Sequence, residues 1–264
     1  MTDQAPQGVD PRVPNAARMY DYFLGGTDNF PADRELADMV LNVLPKAREG
    51  AQQNRLFLGR VVRYLVEQGI RQFIDLGSGL PARENVHEVA HRHAPESKVV
   101  YVDNDPAVCA HGRALLADPG RVLMLEADAR APERVLQDPR VRALIDFDRP
   151  VAVLMLFFLH LIPDSDDPRD FVRDYREALA PGSFLALTHI GADERAGRTI
   201  ELYRSASASF NPGPGAEVES FFGDFELIPP GLDTAWPFAG PEDTMVLEED
   251  PAKMGYAGIG RKPW

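Results

Sequence analysis

Three acidic residues follow three short apolar segments in the first half of the chain. Asp75 lies near the end of segment 72–76, Asp103 follows segment 98–102, and Asp128 comes shortly after segment 122–125. If these segments are parallel strands, the acids meet at the carboxyl edge of the sheet, where doubly wound folds bind ligands. A carboxylate after the second strand can accept hydrogen bonds from both hydroxyls of a ribose. A carboxylate after the third can receive an adenine amino group. The spacing therefore predicts a nucleotide-type site.

A glycine pair follows the first apolar segment directly, in the order Gly77, Ser78, Gly79. Glycine lets the backbone turn sharply and approach a ligand closely. The same residues fit the pattern G-x-G-x-x-A with an acid downstream at Asp103, which is a fingerprint of NAD binding. That fingerprint requires neither of the other two acids, so an NAD-dependent oxidoreductase is the lesser alternative.

The elements that must position these residues alternate along the chain. Apolar strands are predicted at 72–76, 98–102, 122–125, 150–158 and 183–190, with helices over about 81–93, 107–116 and 168–179. Strands that are apolar throughout are typical of a parallel sheet covered on both faces. We therefore expect an α/β fold, a Rossmann-like, doubly wound and mostly parallel sheet. Weaker strand candidates are 225–229 and 257–261, joined by a long proline-rich connection.

A helical preface is predicted before the first strand. Asn15 can cap a helix over 16–24, Pro31 suits the first turn of a helix over 31–44, and a longer amphipathic helix ends at Gly69. We accordingly divide the chain into a leader and helical lid over residues 1–68 and a Rossmann-like domain over 69–264. That domain carries an insert near 194–222, which includes a helix near 193–208.

The charge balance restricts the kind of partner. The chain has 41 acidic and 28 basic side chains, a net charge of −13, which repels phosphate backbones, so a nucleic-acid acceptor is disfavoured. One cysteine, Cys109, forms no disulfide within the chain, and no apolar run has the length of a membrane span. These features predict a cytoplasmic protein that is not embedded in a membrane.

A metal site is not expected. His87 and His91 are four residues apart, which allows them to share one helix face, and acidic residues lie nearby. Since no further ligand follows at a suitable spacing, we interpret this stretch as a solvated helix face and expect no metal.

The motifs together resemble the class I S-adenosylmethionine-dependent methyltransferases. Segment 74–79 looks like their first motif, Asp103 like their ribose-binding acid, and Asp128 with Ala129 like their adenine-binding step. Within that superfamily the chain is similar to the actinobacterial S-adenosyl methyltransferase family, formerly a domain of unknown function. Segment 17–26, followed by Asn29 and Phe30, is the most specific part of the likeness. The resemblance implies S-adenosylmethionine as cofactor and supplies no acceptor.

One position departs from the superfamily pattern, since Pro81 stands where a third glycine is usual. Proline suits the first turn of a helix, so we expect the turn to persist. In the preface, Arg18 is a candidate to pair with the cofactor carboxylate, and aromatic faces such as that of Tyr22 can meet the sulfonium. The alternative is that these side chains only pack. The predicted cofactor-binding residues are Arg18, Tyr22, Asp75, Gly77, Ser78, Gly79, Asp103, Asn104, Asp128, Ala129 and Phe157.

Catalysis leaves a weaker signature. Methyl transfer from a sulfonium mainly requires alignment and exclusion of water, and a general base is needed only for a poorly ionised hydroxyl. His160, just past the fourth strand, is the predicted proton-transfer residue, with a structural role as the alternative. We expect a small-molecule acceptor beside Phe157 and His160, in a pocket closed by residues 200–222. A sensor that binds S-adenosylmethionine or its demethylated product without catalysis is the second hypothesis.

Overall fold

The central sheet is built from strands that lie where the apolar segments predict them. The structure is a computed structural model that describes residues 9–115, 118, 120–192, 196–205, 209–233 and 255–264. Its strands are β1 Gln72–Leu76, β2 Lys98–Asp103, β3 Val122–Glu126, β4 Ala152–Leu156, β5 Phe184–Ile190, β6 Glu226–Leu227 and β7 Gly255–Arg261. Within that part of the chain they form one sheet in the order β3-β2-β1-β4-β5-β7-β6. The first five are parallel and the last two are antiparallel to their neighbours. The predicted mostly parallel sheet is confirmed.

Helices surround the sheet and precede it. They are α1 Ala16–Phe23, α2 Pro31–Val43, α3 Ala47–Glu67, α4 Val86–His93, α5 Pro106–Leu115, α6 Pro132–Leu136, α7 Pro139–Leu144, α8 Pro168–Ala178, α9 Ala196–Ser205 and α10 Gly215–Ser220. Two short 3-10 helices, Leu159–Leu161 and Asp164–Asp166, follow β4. The three helices before β1 agree with the predicted preface, and the Asn15 side chain caps α1 by accepting from two backbone N–H groups.

The order of the strands reverses at β1. Strand β1 pairs with β2 on one side and with β4 on the other, and both pairings are parallel. Such a reversal leaves a crevice at the carboxyl ends of the strands, because the connections leave the sheet in opposite directions. Asp75 lies opposite Tyr101 on one side and Leu154 on the other, so it is directly at the reversal.

The two faces of the sheet explain why its strands are apolar throughout. One buried cluster includes Phe73 and Leu154 together with residues of α3, and another includes Ile74 and Val153 together with residues of α8. Alternate residues of each strand therefore enter opposite layers of core. Neither face is left to water, so the strands have no polar alternation.

Helix α4 begins later than expected. Proline at position 81 predicts a start there, but the helix begins at Val86. The Asn85 backbone N–H donates to Glu88 Oε2 at 2.8 Å in a capping box, which is the stronger start signal. Residues 81–85 form the loop that leads into the helix.

Strand β4 is shorter than its apolar run. It ends at Leu156, and Phe157 takes a left-handed backbone conformation with φ of 51°. The Phe157 N–H donates to the Thr188 hydroxyl on β5 at 2.8 Å, which turns the chain out of the sheet. The 3-10 helix that carries His160 follows at once. Helices α6, α7 and α10 were not predicted, because five or six residues show too little periodicity.

Several expectations fall partly outside the described residues. The leader includes residues 1–8, and the proline-rich connection covers 234–254. The helix predicted near 193–208 is present as Ala196–Ser205, while 193–195 and 206–208 are not described.

A buried carboxylate organises the first two helices. Asp33 is fully buried and accepts from the Arg18 Nε at 2.8 Å, the Asn15 N–H at 2.9 Å and the Phe30 N–H at 2.8 Å. Arg18 is 4% exposed, and it also donates to the Val13 carbonyl oxygen. Because the three groups that donate to Asp33 come from three separate points of the chain, this carboxylate sets the packing of α1 against α2.

The Asp33→Asn variant tests this arrangement. Its amide would turn an NH2 group toward donors and leave the guanidinium buried without a counter-charge, at a cost of about 3–5 kcal/mol. Denaturant unfolding should show that loss. Asp38→Asn is the matched control, since Asp38 is an exposed acid on the same helix. Equal stability of the two variants would contradict the assignment.

Candidate active site

A cavity of about 500 Å3 lies at the carboxyl edge of the sheet. Its size is within the usual range for small-molecule sites, about 300–1,000 Å3. Nine of the eleven predicted cofactor residues line it: Asp75, Gly77, Ser78, Gly79, Asp103, Asn104, Asp128, Ala129 and Phe157. His160 lines it as well. The sheet thus brings together residues that are up to 85 positions apart in the sequence.

The glycine loop forms one wall. Gly77 and Gly79 have φ values of 69° and 66°, a conformation that side chains disfavour. A Cβ on Gly77 would collide with the Phe158 ring, whereas one on Gly79 would meet nothing within 4 Å. Between them, the Ser78 hydroxyl is buried and has no hydrogen-bond partner among the residues that the structure describes. A ligand with a polar group here would complete the bonding of that hydroxyl.

Asp103 is oriented by the backbone. Its Oδ2 accepts from the Gly79 N–H at 2.9 Å, and its Oδ1 accepts from the Asp105 N–H at 3.0 Å. Burial is the largest influence on this carboxyl and raises its pKa. Each carboxylate oxygen has two acceptor positions, so one on each oxygen is left for a ligand.

Asp75 is buried beside the same cavity, with 5% of its surface exposed. Burial raises the pKa of Asp75 to about 7, the Arg55 guanidinium lowers it, and the nearby Asp103 raises it further. Because burial disfavours the ionised form of Asp75, a cationic ligand group beside it would stabilise the carboxylate, so this end of the cavity suits a cation.

Asp128 has a different environment. Its side chain accepts from the Nε and the backbone N–H of Arg130, both at 2.9 Å, and these hydrogen bonds hold its pKa below the usual range. Arg130, which lines the cavity, also pairs with Asp166. The neighbouring Ala129 carbonyl accepts from the Tyr175 hydroxyl at 3.0 Å. This loop after β3 is therefore fixed on two sides.

Arg18 and Tyr22 are the two predicted residues that the structure does not bring to the cavity. The Arg18 guanidinium is paired with Asp33, and the Tyr22 hydroxyl donates to Asp38 at 3.0 Å. Helix periodicity is the reason: positions 16, 17, 20 and 23 share the face of α1 toward the cavity, and 18 and 22 point elsewhere. Tyr20 is thus the aromatic residue from this segment that lines the site.

Arg55 on α3 is a cavity residue that sequence reasoning missed. Its Nε donates to the Arg83 carbonyl at 2.8 Å and its Nη2 donates to the Asn85 side-chain oxygen at 3.1 Å. These bonds hold the guanidinium next to the glycine-loop end of the site. No local motif marks Arg55, because only the packing of α3 on the sheet places it there.

A buried chain of hydrogen bonds connects the sheet to the preface. The Thr188 hydroxyl accepts from the Phe157 N–H and donates to Asn54 Oδ1 at 2.7 Å. The Asn54 side-chain NH2 donates to the Tyr20 hydroxyl at 2.9 Å, which in turn donates to the Ala51 carbonyl at 3.0 Å. Every link has a partner, so the chain holds Phe157 in its left-handed conformation.

His160 lies among aromatic rings in the lining of the cavity. It is 4% exposed, and the rings of Phe157, His189 and Phe210 stand edge-on to it at centroid distances of 5.3, 5.4 and 5.6 Å. Burial, with His189 adding to it, lowers the pKa of His160 well below its usual range, so its imidazole is neutral. Its Nδ1 has no hydrogen-bond partner in the described part of the chain.

The sequence profile of the S-adenosyl methyltransferase family matches residues 2–263. The chain belongs to this family. Its cofactor is S-adenosylmethionine, and the resemblance seen in the sequence is confirmed. No curated protein matches the sequence.

Two solved structures are similar to this methyltransferase over its length. A candidate methyltransferase from Thermobifida fusca YX has 42% identity and a TM-score of 0.92, with 100% of both chains covered. A DUF574 family protein from Streptomyces avermitilis MA-4680 has 36% identity and a TM-score of 0.91, covering 96% of this chain and 99% of its own. The plantazolicin methyltransferase BpumL, solved with SAH, is 9% identical with a TM-score of 0.55 over 94% and 96% of the chains, so it shares the fold alone.

Three features of the cavity of this methyltransferase suit its cofactor. Asp103 has acceptor positions left for the two hydroxyls of a ribose, the Ser78 hydroxyl lacks a partner, and Asp75 and Asp103 favour a ligand with positive charge. S-adenosylmethionine carries a ribose, an amino group and a sulfonium.

None of the described helices is long and apolar enough to cross a bilayer. Across the same residues, no group of three or more His, Cys, Asp or Glu side chains is arranged to hold a metal ion. His87, one of the two spaced histidines, instead has its Nδ1 2.8 Å from the Tyr101 hydroxyl.

The Asp75→Asn variant tests the buried charge. The Asp75 pKa of about 7 in the folded protein lies above its ordinary value of 3.8, so the folded protein retains a proton that the unfolded chain releases. The carboxyl therefore destabilises the cofactor-free protein increasingly as the pH rises from about 4 to 7, and by a constant amount above that. Thermal unfolding at pH 5 to 9 should show the variant gaining stability over the parent up to about pH 7.

Glu67→Gln is the control for this series, since Glu67 is an exposed acid near the end of α3. It should show no such trend. A stability difference between Asp75→Asn and the parent that does not change with pH would overturn the assignment of a buried, protonated Asp75.

Proposed function

We propose that the protein transfers a methyl group from S-adenosylmethionine to a small-molecule acceptor by in-line displacement. The observation that carries the proposal is one cavity that joins a polar, ribose-compatible end to an aromatic end at His160. The bound cofactor supplies an electrophilic methyl group on its sulfonium. The task of the chain is to align that methyl group with a nucleophile at about 3–3.5 Å and to exclude water.

The adenosine part is assigned to the loops after β2 and β3. Asp103 would accept from both ribose hydroxyls, because its backbone partners leave one acceptor position free on each oxygen. Asn104, Asp128 and Ala129 line the adjoining part of the cavity and would contact the adenine. Since Arg130 already donates to both oxygens of Asp128, that carboxylate has less capacity for the adenine amino group than Asp103 has for the ribose.

The methionine part is assigned to the glycine loop and α3. The loop from Gly77 to Gly79 would approach its backbone, and the Ser78 hydroxyl would gain a partner. Arg55 would pair with the carboxylate, a role that the sequence assigned to Arg18, and Asp75 would attract the ammonium. Arg18 serves the packing of the preface instead.

Phe157 and Tyr20 are assigned to the sulfonium. Their rings lie edge to face with centroids 6.3 Å apart, and both line the cavity. An aromatic face near a cation stabilises it by about 0.5–2 kcal/mol. We further propose that α1, as part of the 1–68 preface, covers the site as a lid on the 69–264 domain, because Ala16, Ala17 and Tyr20 all line it.

His160 is assigned to proton transfer. It is a buried titratable group that lines the cavity, and its Nδ1 has no partner among the described residues. A neutral imidazole can accept the proton that an acceptor hydroxyl loses as its oxygen is methylated. We also place the reaction in the cytoplasm, since the chain's one cysteine, Cys109, is a buried free thiol.

The Asp103→Asn variant tests the cofactor site. Loss of charge-assisted hydrogen bonds, each about 1.5–3 kcal/mol, should weaken S-adenosylmethionine binding by at least about tenfold. Calorimetry with S-adenosylmethionine and its demethylated product measures this. Glu126→Gln is the control, an exposed acid at the end of the next strand that does not line the cavity. Failure of the parent to bind either ligand would refute the proposed function.

The Arg55→Met variant tests whether Arg55 pairs with the carboxylate of S-adenosylmethionine. We expect weaker binding of S-adenosylmethionine but unchanged binding of its decarboxylated analogue, because only the carboxylate contact is lost. Arg63→Met, a partly buried arginine on the same helix, is the control. If Arg55→Met weakens both ligands equally, the guanidinium acts on something other than the carboxylate.

A further inference from the structure

A second, smaller cavity adjoins the cofactor cavity. It measures about 80 Å3 and shares five lining residues with the larger one: Tyr20, Phe23, Phe157, His160 and Tyr203. Its remaining wall includes Val40 on α2, Ala51 on α3 and Phe210 after α9. We call this space the apolar annex. It lies where the preface meets the segment after β5, beyond His160 and away from the glycine loop.

The described residues that line the annex carry no charge. Polar side-chain groups among them come from Tyr20, Tyr203, Thr199 and His160. The Tyr20 hydroxyl is engaged with Ala51 and Asn54, and burial keeps His160 neutral. An ionised group placed here would lose its hydration without gaining a counter-charge, which is strongly unfavourable. An apolar group would only lose contact with water.

The walls of the annex are closely packed. The rings of Tyr203 and Phe210 stack at a centroid distance of 4.6 Å and an angle of 20°, and Phe210 also stands edge-on to His160. Val40 is 2% exposed. An empty apolar space of this size forfeits dispersion contacts and lowers stability. Retention of such a space between well-packed rings is consistent with an occupant during function.

We propose that the annex binds the apolar end of the methyl acceptor, and that the acceptor is an uncharged small molecule with a hydroxyl nucleophile held at His160. This inference rests on the proposed function and adds the class of substrate. The acceptor O–H donates to His160 Nδ1, a buried atom that lacks a partner among the described residues. This hydrogen bond requires the tautomer whose proton is on Nε2. The nucleophile is then at the junction of the annex and the cofactor cavity, both of which His160 lines.

The bond changes balance at this position. A lone pair of the acceptor oxygen forms the new C–O bond, the electron pair of the C–S bond stays on sulfur, and the hydroxyl proton moves to His160 Nδ1. The methylated oxygen is a strong acid until it loses that proton, so a weak base suffices. Burial makes His160 such a base and keeps it neutral before the acceptor binds.

The volume restricts the acceptor further. An engineered apolar cavity of about 150 Å3 holds a benzene molecule, and the annex has roughly half that volume. It therefore accommodates one edge of a single ring or a short branched alkyl group. A second fused ring would exceed this volume.

Binding to the product complex tests the proposal without requiring turnover. The probe is 4-fluorophenol, followed by fluorine NMR on protein loaded with the demethylated cofactor, with 4-fluorobenzoate and 4-fluorobenzylamine as charged probes of similar size. We expect saturable binding of 4-fluorophenol and at least about tenfold weaker binding of both charged probes. Equal binding of the charged probes, or no saturable binding of 4-fluorophenol, would overturn the proposal.

Variants of Val40, which lines the annex, test where the probe binds. Val40→Phe should weaken 4-fluorophenol binding at least about tenfold, because the larger ring fills the annex. Val40→Ala enlarges the space and should admit 4-fluoro-3-methylphenol more tightly than the parent does, which gives a second readout if the first variant does not fold. Leu36→Phe and Leu36→Ala are the controls, since Leu36 is buried one turn earlier on α2 and does not line the annex. Equal effects at both positions would refute the assignment.

Calorimetry on the same samples distinguishes failure of the proposed function from failure of the annex proposal. No binding of the demethylated cofactor would refute the proposed function itself, whereas cofactor binding with no phenol binding would refute the annex alone. Methyl-labelled S-adenosylmethionine then reports transfer to the 4-fluorophenol oxygen, and His160→Gln should lower kcat at least about tenfold while leaving cofactor affinity unchanged. If 4-fluorophenol binds but receives no methyl group, its proposed role as an acceptor is refuted, and a non-catalytic sensor is favoured.

Discussion

The site depends on the two hydrogen bonds of the Thr188 hydroxyl. It accepts from the Phe157 backbone and donates to Asn54, so it joins the end of β4 to the preface through a buried polar chain. Without it, the left-handed turn at Phe157 would lack its anchor and Tyr20 would lose its connection to the sheet. Two of the aromatic rings that line both cavities, those of Phe157 and Tyr20, are therefore positioned by one uncharged side chain on β5.

Electrostatics explain why the polar end of the cavity suits this cofactor. Burial is the main reason that the pKa of Asp75 is raised; the Arg55 guanidinium opposes this effect, and the nearby Asp103 adds to it. In the proposed function, the ammonium and sulfonium of the cofactor would stabilise the charge of these buried carboxyl groups, and its carboxylate would pair with Arg55. At the opposite end the annex has no charge in its described lining and a neutral histidine. The cofactor and the proposed acceptor thus meet environments of opposite character within one continuous site.

The helical preface has a functional consequence beyond covering the sheet. Residues of α1, α2 and α3 form much of the annex, and α9 closes its far side. Asp33 fixes the rotation of α1 by binding Arg18 and the entry to both helices. The rotation of α1, in turn, decides that Tyr20 rather than Tyr22 faces the cavity. A carboxylate remote from the chemistry thereby determines which aromatic ring lines the site.

The sequence by itself determined the sheet, its strand ends and the meeting of three acids at one cavity, because these follow from local patterns. Apolar runs make the buried strands, a glycine pair makes the turn after β1, and the acids of β1, β2 and β3 meet because parallel strands end at one edge. Only the tertiary structure decided that Arg55, and not Arg18, lies beside Asp75, and that α2 and α9 enclose an annex. These facts depend on how helices rotate and dock across distant parts of the chain. No local spacing contains that information, because burial and pairing with partners far away in sequence fix each rotation.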